Sequence, residues 1–534
     1  MTRRYLGRAA MALAAALAVG VPAGADDLAD RIERMERELQ ELKRELQRRN
    51  AGAAPPAAAP TTAEAPPPPP PPVAATAPAP AGTPAMQDAA RVVDAITDRV
   101  KLGAYGSIRY EASNLDEQHS TFTFRRFVLT ADANIAPRLK AYAELEFERF
   151  RKLELEKKTE PAEGGLTVEQ TVGGTNESEI ALEQAWLQYD FTDWLAFRGG
   201  GVLIPLGRFN LNHDDNRWDL PRRSLVDRGV PVLPSTAAWD ELGAGFLGQV
   251  PVGRQANLDY QVYVVNGVAL DVEFEQIVKT RSPEPAKQVI EAKVAPSTGG
   301  FASDVKEGKA VTGRVALSPA LGHEIAGSWY WGQYTPDFLG REDLWSFGLD
   351  GRTGLGPIEL EGQWVYTHFD GIEGVARDLA RIARDSEAEF ENPDLETEVE
   401  FELSGLARNK HGYWVDLRYR FWPAFLSDTF LGSHFDNPQL VAVLRGEQVW
   451  LDDLVEEVAF GGGQLTAFET DDRRVDRITT GLAYRPVPLV VFQLAYELTQ
   501  TDNGKSLAGV TNFLPAGEHE DTSHAVLVGA AFGF

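Results

Sequence analysis

The chain has no cysteine among its 534 residues, which excludes a disulfide framework and any thiolate metal site. It also lacks a long apolar run. The stretch from Ala9 to Val19 spans about eleven residues, whereas a membrane-crossing helix needs roughly 20. Basic charge is in short supply, since 52 Lys and Arg face 79 Asp and Glu for a net charge of −27. That balance argues against duplex nucleic acid as a partner, because phosphate binding needs a basic face. No G-x-S-x-G, H-E-x-x-H or G-x-x-x-x-G-K-[ST] occurs, so no enzyme is expected and no cofactor is implied. His213-Asp214-Asp215 carries metal-type donors, but no second histidine lies nearby. A hydrogen-bond cluster is the favoured reading there, and no metal is expected.

What is present falls into zones. Residues 1–25 read as a secretory signal: Arg3, Arg4 and Arg8, then the short apolar core, then Ala23-Gly24-Ala25 as a cleavage site. Within 26–50, Leu28, Ile32, Met35, Leu39, Leu42 and Leu46 follow a 4-3-4-3-4 heptad spacing. Arg31 at a g position can meet Glu36 at e of a neighbouring helix, and Glu38 can meet Lys43. A solitary helix of this length is marginal in water, so self-association is the favoured reading. Residues 51–85 are Pro/Ala-rich, with an unbroken proline run from Pro66 to Pro72. Such a segment buries no core and extends as polyproline II, reaching roughly 100 Å when fully stretched.

Residues 86–534 change character. Leu139, Ala141, Ala143, Leu145 and Phe147 alternate with Lys140, Tyr142, Glu144, Glu146 and Glu148, and the same period of two marks 413–421 and 490–499. The pattern predicts an all-β fold, a transmembrane antiparallel β-barrel of about 16 strands preceded by the short coiled coil. Strands are expected near 100–112, 121–134, 139–152, 178–191, 194–205, 239–250, 256–266 and 309–318. The other eight are expected near 321–334, 343–353, 357–369, 410–421, 438–450, 474–486, 489–502 and 519–534. Short connections such as Ile135-Ala136-Pro137, Thr192-Asp193 and Pro486-Val487-Pro488 alternate with long polar ones at 267–308, 370–409 and 451–473. That asymmetry is typical of outer-membrane barrels. Only 422–437 is long where a short turn belongs.

Several motifs resemble known families. Gly529-x-x-Phe532-x-Phe534 resembles the terminal signal read by the outer-membrane barrel assembly machinery, with Leu527 where that signal usually has a polar residue. Arg31-Ile32-Glu33-Arg34-Met35-Glu36 resembles a trimer-specifying coiled-coil pattern. Pro205-Leu206-Gly207-Arg208-Phe209-Asn210, then Asn212-His213-Asp214-Asp215-Asn216, then Arg223-Ser224-Leu225-Val226-Asp227 look like the phosphate-selective porin O and P family. Phe124-Arg125-Arg126 is similar to a further element of that family, and the coiled coil looks like that of the DcaP-like trimeric porins. The resemblance implies a sixteen-stranded homotrimer passing small anions, phosphate or dicarboxylates, by diffusion.

The residues themselves supply a local argument for anions. Arg125, Arg126, Arg208, Arg217, Arg222, Arg223 and Arg228, with Asp219 and Asp227, are the expected filter, placed on an inward loop at 206–238. Arginines focused in a low-dielectric constriction attract phosphate or carboxylate. The competing reading pairs Arg217, Arg222 and Arg223 with Asp214, Asp215, Asp219 and Asp227, so that they brace the loop. An acidic run over 385–402 reads as a solvated loop or as a Ca²⁺ or Mg²⁺ site against lipopolysaccharide. Expected partners are thus small solutes, outer-membrane lipid and lipopolysaccharide, the assembly machinery and a second and third copy of the chain. The alternative function is a structural tether, with the periplasmic coiled coil and Pro-rich arm bound to the peptidoglycan wall.

Overall fold

A computed structural model describes residues 99–534 apart from 115–118, 150–152, 163–164, 175–178, 230–231, 236–237, 280–286, 299–303, 390–395, 404–405, 462–463 and 502–520. The expected signal, coiled coil and linker lie outside the described residues. Strands run in chain order as β1 (Val100–Ser113), β2 (Thr121–Ala136), β3 (Leu139–Glu148), β4 (Leu153–Ala162), β5 (Gly165–Gly174), β6 (Glu179–Asp190) and β7 (Ala196–Leu203). Next come β8 (Asp240–Val252), β9 (Ala256–Val265), β10 (Ala269–Lys279), β11 (Lys287–Ser297), β12 (Ala310–Ala320), β13 (His323–Gln333) and β14 (Asp343–Leu355). The series ends with β15 (Ile358–Phe369), β16 (Glu396–Leu403), β17 (Ala407–Phe421), β18 (Gln439–Gly461), β19 (Gln464–Val487), β20 (Val490–Thr501) and β21 (Thr522–Gly533).

Sixteen of these strands close into one barrel, and all sixteen coincide with stretches that the alternation marks. Neighbours pair antiparallel around the ring until β21 returns to β1, with Tyr105 opposite Gly533. The seam is tied at its very end. The Phe534 N–H donates to the Ala104 carbonyl at 2.9 Å, and the Ala104 N–H donates to the Phe534 carbonyl at 3.0 Å. Closure leaves the barrel itself without an open strand edge.

The two faces follow from the pleat. Leu129, Ile325, Phe347, Leu417, Leu482 and Phe492 are exposed on the outside. Arg126, Glu361, Asp416, Arg445, Glu447 and Arg477 alternate with such residues and are buried on the inside. An apolar exterior around a polar interior is the reverse of a soluble sandwich and suits lipid outside. Among the described residues no helix is long and apolar enough to cross a membrane. Short turns gather at one end, where Gly322 and Gly356 adopt φ of 83° and 62° that other residues rarely take.

The structure departs from the sequence reading in the long connections. β4 and β5 form a hairpin, and β10, β11 and β16 form a separate three-stranded sheet in which β11 and β16 run parallel. β18 and β19 continue pairing through most of 451–473, a stretch the sequence pattern assigns to a loop. Past the apolar belt no lipid-facing alternation is demanded, but backbone groups still need partners and the ladder runs on. The acidic run expected as a loop over 385–402 instead spans the end of a helix, Ile372–Glu389, and β16. That helix buries Ile372, Val375, Ala376, Leu379 and Ala380, a helical stripe within residues expected to be irregular. The long stretch 422–437 stands as expected, with one 3-10 turn at Ala424–Leu426.

Candidate functional site

The connection from β7 to β8 is held by one side chain. Asn210 is fully buried; its Nδ2 donates to the carbonyls of Ile204 and Trp239, each at 2.8 Å, and its Oδ1 accepts the Trp239 N–H at 2.7 Å. Both ends of the segment are therefore clasped across its base. Gln363 of β15 anchors the next stretch, its Oε1 accepting the N–H groups of Arg208 and Phe209 at 2.7 and 2.9 Å. Gly207 adopts φ 73°, and a Cβ there would stand 2.6 Å from the Gln363 side chain. Glycine is required on both counts.

Farther along, the segment carries its own aromatic core. Phe209 and Trp218 stack at 4.5 Å between centroids, and Trp218 meets Trp414 of β17 edge-on at 5.5 Å. The Arg445 and Arg418 guanidiniums lie over the Trp218 ring at 5.6 and 5.5 Å, within cation–π range.

The expected filter arginines are brought together with carboxylates. Arg125 meets Glu148 at 3.3 Å, and Arg126 meets Glu146 at 2.9 Å and Asp215 at 3.3 Å. Arg208 pairs with Glu361 and, at 2.6 Å, with Glu324. Arg217 pairs with Asp214 at 2.7 Å while its side chain stays 58% exposed. Arg223 faces Asp215 at 3.6 Å, but Arg222 reaches Glu111 at 3.0 Å and Glu497 at 3.2 Å. Asp219 is met by Arg485 at 2.6 Å, Arg418 at 3.5 Å and Arg420 at 3.7 Å. The reading that braces the loop with its own aspartates thus holds for Arg217 and Arg223. For Arg222, Asp219 and Asp227 it is corrected, because the segment packs on the barrel wall and finds wall partners first. The Arg228 side chain lies outside the described residues.

Asp227 differs from the rest. It accepts from Gln363 Nε2 at 2.9 Å and from the Ser224 hydroxyl, and burial pushes its carboxyl up to about 6. His213 shows the opposite balance. Burial works against its charged form, but the hydrogen bond to Glu183 and the charges of Glu183 and Asp214 push it up to about 9.

Sequence reasoning missed the residues around a cavity on the inner side of the barrel wall. The cavity, of about 710 Å³, is lined by residues of β3, β6, β7, β8, β9 and β12, by Leu211 of the β7–β8 connection and by the turns at Arg138 and Thr192–Asp193. Its charged lining is Arg138, Lys140, Arg198 and Arg314 against Asp190, Asp193 and Asp259. Arg198 lies over the Trp186 ring at 3.9 Å and donates to Gln188 Oε1 at 2.8 and 3.1 Å. The signal was available in the inward parity of Lys140, Gln188 and Arg198, which pair across adjacent strands.

The fold and this segment define a closed sixteen-stranded barrel whose interior polar wall carries a folded connection. No family model matches the chain. An uncharacterised protein of Aquifex aeolicus (strain VF5) is 28% identical over 188 residues, 35% of this chain, and the match spans 37% of that relative's length. Among solved structures the chain is similar to an anion-selective porin from Comamonas acidovorans, at 11% identity and TM-score 0.44 over 82% of this chain and 99% of that one. It is similar to OmpF of Salmonella typhi in complex with daunomycin, at 11% identity and TM-score 0.42 over 82% and 97% of the two chains. The outer membrane channel DcaP of Acinetobacter baumannii aligns at 11% identity and TM-score 0.40 over 82% and 98%. Likenesses at that distance carry no argument about what this chain passes or assembles with.

Proposed function

We propose that this protein is an outer-membrane channel, a porin homotrimer through which small polar solutes diffuse passively, with the 206–238 segment narrowing the lumen. The observation that carries the reading is the charged cavity of about 710 Å³ inside a closed barrel whose exterior is apolar. Four basic side chains against three acidic ones around that cavity lean toward small anions such as phosphate or dicarboxylates. Arg222 and Arg223 are buried against carboxylates, so they brace the segment first and bias the field second. The coiled-coil residues Leu28, Arg31, Ile32, Met35, Glu36, Leu39, Leu42 and Leu46 are assigned the trimer contacts in the periplasm. Gly529, Phe532 and Phe534 are assigned to recognition by the assembly machinery, and the apolar exterior to outer-membrane lipid.

A second reading, a plugged barrel that anchors a tether to the cell wall, is favoured by the dense pairing of the segment with the wall. Planar-bilayer recording of the purified full-length protein separates the two. Stepwise conductance is expected, and its absence sinks the channel. A reversal potential of the cation-preferring sign in a salt gradient overturns the anion lean while leaving the channel intact.

A further inference from the structure

At the start of the same segment, against β3 and β6, lies a cluster in which carboxylates outnumber cations. His213 is buried, with Nδ1 2.9 Å from the Asn210 carbonyl. A carbonyl only accepts, so Nδ1 carries the hydrogen and Nε2 points the other way. Metal-bound imidazoles are oriented by the same kind of contact. Nε2 faces Glu183 Oε2 at 3.3 Å and Asp214 Oδ1 at 4.0 Å. Asp214 gives its other oxygen to Arg217 at 2.7 Å, which leaves Oδ1 turned toward the imidazole. Glu144, His213 and Asp214 each offer a ligand atom within 4.8 Å of the others.

One carboxylate arrives through a fault in the strand register. Glu144 pairs with Gln184 but Leu145 pairs with Leu182, so Glu183 has no opposite residue. Such a bulge re-aims a side chain. Glu183 is buried at 7% exposure, whereas its neighbour Leu182 is exposed to the outside at 46%.

Two further observations mark the place as holding more buried carboxylates than the one positive charge of His213 can balance. Glu183 and Glu146 stand within hydrogen-bonding reach of each other. Buried carboxylates in contact need a proton or a cation between them. Tyr105 of β1 is 5% exposed, its hydroxyl has no hydrogen-bond partner, and it stands in the field of Asp214, Glu183 and Glu146. A buried hydroxyl left without a partner is costly and rare. Arg126, a buried cation beside the cluster, is already shared among Glu146, Glu148 and Asp215.

We propose that His213 Nε2, Asp214, Glu144 and Glu183 bind one divalent transition cation of the Zn²⁺ or Mn²⁺ type, with the Tyr105 hydroxyl as an outer partner. The imidazole argues against Ca²⁺ and Mg²⁺, which take oxygen ligands. A mixed nitrogen and carboxylate set suits Zn²⁺ and Mn²⁺. No second histidine in the sequence pointed here; strands β3 and β6 supply the missing donors. The ion clips the start of the 206–238 segment to that wall, and it does so whether or not the barrel conducts.

The test uses the full-length protein in detergent, stripped with a chelator and titrated with Mn²⁺ under electron paramagnetic resonance. One Mn²⁺ per chain is expected, with echo modulation from an imidazole nitrogen, and stoichiometric Zn²⁺ displaces it because zinc binds such sites more tightly. Binding without nitrogen modulation assigns the Mn²⁺ to surface carboxylates and overturns the proposal, as does the absence of stoichiometric binding. Neither result depends on a variant folding. The isosteric changes Glu144→Gln and Glu183→Gln are each expected to weaken binding at least about tenfold, the loss that follows even when an outer partner of a metal site is removed. Wild-type affinity in both variants overturns the site.

Discussion

Asn210→Ala isolates the clasp that closes the segment at its base. The change removes three hydrogen bonds, two donated to the Ile204 and Trp239 carbonyls and one accepted from the Trp239 N–H. The Trp239 carbonyl keeps a donor, because the Ile204 N–H reaches it at 3.0 Å. Two groups lose their partner, the Ile204 carbonyl and the Trp239 N–H, and both residues are fully buried, out of reach of water. At about 1–3 kcal/mol for each orphaned group the cost is roughly 2–6 kcal/mol. It falls on local opening of the segment, since the barrel ladder is untouched. The lower figure, about 2 kcal/mol, corresponds to a rise of roughly 30-fold in the open population. Hydrogen exchange followed by mass spectrometry on peptides spanning 204–239 reads this directly, with peptides of β20 and β21 as the internal reference. Faster exchange by roughly 30-fold or more is expected in the segment alone. An increase below about threefold, with the barrel intact, refutes the clasp.

Replacing Arg222 and Arg223 together by Ala removes two positive charges from beside Glu111, Glu497 and Asp215. The reversal potential is expected to move toward cations, and an unmoved potential takes both residues out of the filter. Asp227 holds its proton up to about 6, above its ordinary value of 3.8, so wild-type stability is full below about pH 4 and declines as pH rises through 6. Asp227→Asn is therefore expected to raise the melting temperature above pH 7, by the equivalent of about 3 kcal/mol at most, with no difference at pH 3.5. Equal melting curves at pH 8 contradict that account. Deleting Phe534 removes two backbone hydrogen bonds from the seam and an aromatic ring that is 74% exposed. The yield of heat-modifiable barrel in the outer membrane is expected to fall, and an unchanged yield takes Phe534 out of the assembly signal.

The barrel was legible because lipid outside and water inside impose a period of two on every strand that crosses. Lys140, Tyr142 and Glu144 face in while Ala141, Ala143 and Leu145 face out, and a single sequence displays this without any partner in view. The β4–β5 hairpin carried only a fragment of that imprint. Leu153 and Leu155 alternate with glutamates, and Leu166, Val168 and Val172 with Thr167, Glu169 and Thr171, but neither run is long enough to mark a strand that crosses a membrane. The Ile372–Glu389 helix did carry a readable stripe, masked by the acidic residues that follow. The candidate site was legible as a segment but not as a set of contacts. Asp219 meets Arg485 and Arg223 offers its carbonyl to Arg477, partners 266 and 254 residues away. Alternation says that Arg477 and Arg485 point inward; it does not say which residue of the segment they meet. The bulge at Glu183 was hidden for a related reason, since a one-residue slip exists only relative to the opposite strand.

The bond between Ala104 and Phe534 makes the order of synthesis matter. β1 cannot find its final neighbour in the barrel until β21 has been made. Every truncated product therefore presents two unsatisfied edges, those of β1 and of whichever strand comes last, and such edges recruit other chains. An incomplete copy is thus recognisable as incomplete by its backbone alone, before any solute or partner tests it. A factor that holds the β1 edge has no place to bind once β21 is paired along it.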